Sequence, residues 1–204
     1  MFYKPSEPHG LKHGPFKAII APRPIGWIST LATDGSVNLA PFSFFNAMSE
    51  NPPIVAMGIN GSHSEGGAKD SLDNIEATKE FVCNMVSYSL HEKMNLSSAM
   101  LPRSIDEFDY AGLTKEPSTL VKPPRVKESL AHLECVLYKT IVLPSHNPKV
   151  VNTMVLGEVV GIHISDEIIV DGMIDMKKYQ PLARLGYMDY CHVEDVFSMN
   201  RPVV

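Results

Sequence analysis

Lys69, Asp70 and Ser71 place an ammonium, a carboxylate and a hydroxyl on consecutive residues at the mouth of a helical pattern. The stretch before them, residues 60–67, is rich in Gly, Ser and Asn, and Leu72 and Ile75 stand three apart in the segment that runs from Ser71 to Lys79. With Asp70 as the N-cap, backbone N–H groups and the positive end of a helix dipole lie beside the Lys69 ammonium and the Ser71 hydroxyl. That arrangement binds an anion. It is equally the arrangement of an ordinary capped surface helix with a solvated lysine.

A second constellation precedes it. Arg23-Pro24-Ile25-Gly26-Trp27-Ile28-Ser29-Thr30 is followed by Asp34-Gly35 and then by Asn38-Leu39-Ala40-Pro41-Phe42-Ser43-Phe44-Phe45-Asn46-Ala47. Asp-Gly predicts a type I′ turn that pairs residues 25–33 antiparallel with residues 36–45. The second strand carries small hydroxyl and amide side chains where a purely structural strand carries Val and Ile. Pro41 offers no N–H to a ladder, so it belongs at an edge, a bulge or a strand end, and neighbouring backbone groups are open to a ligand or to water. Three aromatics in four positions, Phe42, Phe44 and Phe45, cannot share one face of a strand. Arg23, held between prolines, points either to an anion or to a nearby carboxylate.

These residues need a scaffold, and the rest of the chain supplies a β-rich one. Strands are expected at 25–33, 36–45, 54–59, 81–87, 131–142, 150–164 and 167–170, and helices at 71–79, 89–99 and about 177–183. At 204 residues, 44% hydrophobic and 20% charged, the chain suits one domain over 1–204 with its own core. Pattern alone supports an α+β barrel or sandwich that is mainly β. The stretch from Pro102 to Pro124 is long enough to be a functional excursion. Trp27, the sole tryptophan, suits a core or an interface.

Several classes are excluded. A net charge of −5 with no basic run argues against a nucleic-acid surface. No stretch reaches the apolar length of a membrane span, and Met1 to His13 lacks the apolar centre of a signal peptide. Cys83, Cys135 and Cys191 form no C-x-x-C pair and read as reduced residues, which makes the cytoplasm the expected location. His9 and His13 are four apart beside helix-breaking glycines, and the other histidines are scattered, so no zinc-like spacing arises. No Walker loop, G-x-S-x-G or G-x-G-x-x-G fingerprint appears.

In combination and order, the stretches Arg23–Thr30, Asn38–Gly58 and Lys69–Ile75, continued by Phe81–Val86, Asp106–Leu113, Pro123–Val126 and Pro181–Gly186, resemble the flavin reductase-like family of FMN-binding split barrels. The resemblance covers nearly the whole chain and implies a split β-barrel with a few flanking helices. It places Lys69, Asp70 and Ser71 near the FMN phosphate, with Asp70 capping and orienting, because a carboxylate against a phosphate is repelled. Ser29, Thr30, Ala40, Pro41, Ser43, Phe44 and Asn46 are expected around the ring and ribityl chain. Arg23 belongs to the phosphate or to a carboxylate partner, and Arg184 to the flavin region, a dimer interface or a helix-end salt bridge.

The implied function is an FMN-dependent oxidoreductase that takes hydride from NAD(P)H and passes electrons to free flavin, to a partner monooxygenase or to another small acceptor. No catalytic side chain is required of the protein, since flavin carries the chemistry. The alternative is a non-enzymatic, flavoredoxin-like electron carrier reduced by a partner protein. A homodimer is expected, partly from the resemblance and partly because a bulged, proline-containing strand leaves edges and apolar residues that a second copy covers.

Overall fold

Two strands that follow one another in the chain lie at opposite edges of the main sheet, and this organises the molecule. The structure, a computed structural model, describes residues 1–147 and 150–203. Its strands are β1 (Arg23–Pro24), β2 (Gly26–Leu31), β3 (Val37–Phe42), β4 (Phe45–Glu50), β5 (Pro53–Asn60), β6 (Glu80–Met85), β7 (Lys115–Glu116), β8 (Arg125–Val126), β9 (Ala131–Leu143), β10 (Asn152–Ile164), β11 (Ile169–Val170), β12 (Met173–Ile174), β13 (Leu182–Arg184) and β14 (Tyr190–His192). The helices are α1 (Phe16–Ile19), α2 (Asp70–Thr78), α3 (His91–Leu96), α4 (Glu107–Tyr110) and α5 (Met176–Tyr179).

Seven strands form an antiparallel sheet in the order β3-β2-β6-β9-β10-β5-β4. Only Ser43 and Phe44 join its two edge strands, so the sheet has to curl until β3 and β4 meet, which makes a barrel with a seam. The Gly58 N–H bonds the Phe44 carbonyl at 2.7 Å and pins this corner. A separate three-stranded sheet, β1-β13-β14, packs beside the barrel.

The expected strand 36–45 is therefore two strands, broken where the chain turns from one edge to the other. The expected type I′ turn is also absent. Residues 32–36 form a longer loop in which Gly35 alone takes a positive φ, +91°. The Asp34 carboxylate accepts the Ser36 N–H and hydroxyl instead, at 2.9 and 2.7 Å, an Asx turn that competes with the two-residue hairpin. Pro41 does sit on an edge strand. The Leu39 N–H points away from β2 to Glu107, so Pro41, two residues on, takes the same outward position and costs no ladder bond.

Other expectations are corrected in detail. Residues 89–99 begin as a 3-10 turn, Tyr88–Leu90, before α3. Residues 177–183 hold only the end of α5, because Gln180 turns left-handed (φ 46°) and the chain enters β13. Residues 167–170 are a 3-10 turn leading into the two-residue β11.

β2 is buried on both faces, as a strand with layers on either side must be. Ile28 joins Phe42, Phe45, Met57, Ile59, Phe81, Cys83 and Cys135 inside the barrel, where Leu72 and Ile75 of α2 close one end. Trp27 faces outward into a second cluster with Leu39, Met94, Phe108 and Val126. The Trp27 indole N–H bonds the Ser97 hydroxyl at 2.8 Å, so its one polar atom is satisfied in the core. At Gly157 an added Cβ would lie 2.2 Å from the Phe81 ring, a close approach that fixes both residue types. Cys83, Cys135 and Cys191 are free thiols, the first two fully buried.

Candidate functional site

The start of α2 faces the edge strand β3 across a small cleft of about 120 Å³. Its walls include Asn38, Ala40 and Pro41 from β3, Lys69, Asp70 and Ser71 from the helix start, Glu107 from α4, and residues 97–101. Lys69, rather than Asp70, is the N-cap, with extended backbone (φ −72°, ψ 145°) and no side-chain cap. Asp70 is the first helical residue, where its charge still suits the dipole. The Lys69 carbonyl accepts the N–H groups of Leu72 and Asp73 at 2.8 and 3.1 Å.

The orientation of α2 is set from the barrel. Asn74 Nδ2 donates to Thr30 Oγ1 at 3.0 Å, a bond buried between helix and β2. Ser71 Oγ reaches Asn38 Oδ1 at 3.4 Å. Asn38 is 9% exposed, lines the cleft, and among the described residues its Nδ2 has no hydrogen-bond partner. Most buried amides are paired, so an unpaired donor beside an ammonium, a hydroxyl and a helix N-terminus describes an anion site with a donor to spare.

Two carboxylates sit in the same walls. Glu107 Oε2 accepts the Leu39 N–H at 3.0 Å, and burial pushes its carboxyl above the ordinary range, against the lowering effect of that bond. Asp70 is paired with Arg103, a residue the sequence reading passed over. Glu107 and Arg103 were missed for one reason: each matters through a partner distant in sequence. Asn38 stood at the head of the expected polar strand, without a role of its own.

The expected flavin residues separate into four places. Ala40, Pro41, Lys69, Asp70 and Ser71 share the cleft just described. Ser43, Phe44 and Asn46 lie one step along the corner, in a neighbouring cleft of about 520 Å³ walled by Met48, Met57 and Met154, and Arg23 lines this same cleft. Phe42 and Phe45 are core, whereas Phe44 is 38% exposed toward this cleft.

Ser29 and Thr30, expected around the ring, are fully buried and line neither cleft. Ser29 Oγ donates to the Pro124 carbonyl at 2.5 Å and accepts from Asn84 Nδ2 at 3.1 Å. These two hydroxyls position the 124–126 segment and α2.

Arg23 points neither to the Lys69 cleft nor to a carboxylate. Its guanidinium donates to the carbonyls of Lys17, Ile20 (2.6 Å) and Leu185 (2.8 Å), and clamps the amino-terminal arm to the segment after β13. Burial, helped by Arg184, lowers its pKa. Arg184 stacks over Tyr190, 4.4 Å from the ring centroid, and donates to the Tyr190 hydroxyl and the Tyr187 carbonyl. It lines a third cleft, of about 410 Å³, with Tyr88, His91 and His192, and among the described residues it has no carboxylate partner. Among the described residues no group of three or more His, Cys, Asp or Glu side chains forms a metal site.

Comparison with known proteins bears on the family and the fold. The family model described as "Flavin reductase like domain" matches residues 20–183. An uncharacterized protein of Aquifex aeolicus is 40% identical over 169 residues, spanning 82% of this chain and 83% of that protein. The crystal structure of nitrilotriacetate monooxygenase component B from Bacillus cereus superposes with a TM-score of 0.87 at 26% identity, covering 98% of each chain. The 2-nitrobenzoate 2-nitroreductase NbaA of Pseudomonas fluorescens gives a TM-score of 0.79 at 31% identity, over 91% of this chain and 88% of that one.

Proposed function

Because the chain belongs to the flavin reductase-like domain family, matched over residues 20–183, we propose that it is a single-domain FMN-dependent oxidoreductase, carrying reducing equivalents from NAD(P)H to free flavin or another small acceptor. The observation that carries the reading is the unpaired, buried amide of Asn38 beside Lys69, Ser71 and the N-terminus of α2. These groups fit a phosphate: Lys69 supplies charge, Ser71 a hydroxyl, Asn38 a donor and the helix its dipole.

The adjoining cleft fits a flat, largely apolar ring with a polar edge. Phe44, Met48, Met57 and Met154 supply apolar walls, and Ser43 and Asn46 supply polar atoms. When bound, flavin supplies hydride acceptance and electron delivery, so the chain's task is to bind, orient and exclude water. Thr30 and Asn74 would hold the phosphate-binding end of α2 in place, and the Gly58 N–H on the Phe44 carbonyl would fix the corner that separates the two clefts.

The similar solved structures are a monooxygenase component and a nitroreductase, which supports redox chemistry with an acceptor outside this chain, a partner monooxygenase included. We take the working unit to be a homodimer. Exposed apolar side chains on β9 and β10, Tyr138 at 66%, Val142 at 75% and Ile162 at 61%, support a covering copy. Among the described residues no helix is long and apolar enough to cross a membrane, and the cytoplasm is the proposed location.

Lys69→Ala is the decisive variant. Removing a charge-assisted hydrogen bond should cost ~1.5–3 kcal/mol of FMN affinity, roughly ten- to more than a hundredfold, while riboflavin binding stays unchanged. A folded variant that binds FMN like the parent rejects the phosphate assignment. NAD(P)H oxidation assayed with and without FMN tests the enzyme. Bound flavin that only a partner protein reduces assigns the carrier role instead.

A further inference from the structure

The helix that presents Lys69 and Ser71 also places a carboxylate, Asp70, in the wall of the same cleft. A phosphate dianion entering there would meet that negative charge. Arg103 answers it. Its guanidinium pairs with Asp70 through Nη1, while Nη2 donates to the carbonyls of Gly66 and Ala68 at 3.1 and 3.0 Å. One fork thus neutralises the carboxylate and ties down the loop that leads into the helix. That loop contains Gly66 and Gly67 at φ +92° and +78°, and a Cβ at Gly67 would lie 3.6 Å from Arg103 Nη2, so the guanidinium is seated against the loop backbone.

The rest of the local charge sharpens the point. His63 Nε2 lies 3.7 Å from Asp70, Asp73 lies 3.9 Å from Arg103, and Glu107 faces the cleft from α4. Without Arg103 the carboxylates of Asp70 and Glu107 would stand in the cleft wall against the ammonium of Lys69. With it, Asp70 is matched and the Lys69 charge, the Ser71 hydroxyl and the unpaired Asn38 amide remain for the ligand.

We infer that Arg103 is a positioning and specificity residue, which makes the α2 cleft selective for the phosphorylated flavin by cancelling Asp70 rather than by touching the ligand. This rests on the FMN reading above. Lysine could carry the charge, but the guanidinium does so with a pre-organised planar fork, one nitrogen on the carboxylate and the other on the two carbonyls.

The test is titration of the purified full chain with FMN and with riboflavin at low ionic strength, with melting temperature as the fold control. Arg103→Gln should weaken FMN by about tenfold or more and leave riboflavin within about threefold, because the unscreened Asp70 charge is felt only by the phosphate. The loss should shrink as salt is raised, as a charge effect does and a packing defect does not.

Asp70→Asn alone should bind FMN at least as tightly as the parent, and the double variant should return to within about threefold of it. The inference is overturned if the double variant stays as weak as Arg103→Gln, since Arg103 would then contact the ligand itself. It is also overturned if Asp70→Asn weakens FMN, a result that does not depend on Arg103→Gln folding. Failure of the underlying reading looks different: the parent itself would not prefer FMN to riboflavin, and Lys69→Ala would change nothing.

Discussion

Two carboxylates taken inside by different parts of the chain titrate in opposite directions. Glu107, half-buried beside the Lys69 cleft, receives one backbone N–H from Leu39, and burial prevails to raise its pKa. Glu134, with no exposure at all, sits on β9 beneath the Pro-rich excursion. It accepts the N–H groups of Thr119 (2.7 Å), Leu120 (2.6 Å) and Val121 (3.1 Å) and the His163 ring nitrogen at 2.5 Å. Burial pushes its pKa up as well, but these four donors outweigh it and the net shift is downward. Depth alone therefore does not set the charge state; the number of donors aimed at the carboxylate does. Glu134 is a staple that holds residues 119–121 to the barrel, whereas Glu107 carries a destabilising charge at the edge of the site.

The largest effect that would break this contrast comes from Glu134→Ala. It leaves three N–H groups without their acceptor and should cost on the order of 3 kcal/mol in denaturant unfolding. A loss below about 1 kcal/mol would mean that water replaces the carboxylate at little cost.

Next in size is the acid limb of the stability curve. A depressed folded pKa gives stability that is present above the unfolded value and is lost as pH falls through the folded one, so the Glu134 contribution should fade below the ordinary glutamate value of 4.5. A raised folded pKa has the opposite slope: the native state holds its proton longer, and Glu107 costs stability as pH rises through its folded value. Unfolding measured between pH 3 and 7 should show the acid-side loss flattened in a Glu134 variant and the opposing slope removed in Glu107→Gln.

The smallest effect is that of Glu107→Gln at neutral pH. The amide oxygen can still accept the Leu39 N–H without a buried charge, so stability should hold or rise by up to about 1 kcal/mol. A drop of more than that would make the Glu107 charge structural, like that of Glu134, and erase the contrast.

The β-rich architecture was legible because alternation and turn residues are local signals. Trp27 could be narrowed to a core or an interface from its type, and Phe42, Phe44 and Phe45 could be split between two faces but not assigned to them. The break at Ser43-Phe44 could not, since residues 36–45 read as one continuous strand and only the closure of the sheet separates them. The helix-start chemistry at Lys69 was visible for the same local reason, although the capping role moved by one residue from Asp70 to Lys69. The side-chain partners of Ser29 and Thr30 were not legible, because a hydroxyl on a strand looks the same whether it faces a ligand or satisfies Pro124 and Asn74 across the interior. The guanidinium partners of Arg23 were not legible either, because three carbonyls, two of them nearby in the chain and one at Leu185, satisfy a guanidinium as well as an anion does.

The corner at Ser43 and Phe44 also bears on how the molecule assembles in time. β2 with β3, β4 with β5, and β9 with β10 are neighbours in sequence and can each pair early. The first two hairpins, though joined by two residues, belong at opposite ends of the sheet, and β6, β9 and β10 must be in place before those ends can meet. The seam is thus a late contact, absent from partly assembled chains. Interactions formed late act mainly on the rate of leaving the native state. Whatever occupies the clefts on either side of that corner is expected to slow unfolding far more than it quickens folding, so that the ligand lengthens the lifetime of the closed barrel without guiding its construction.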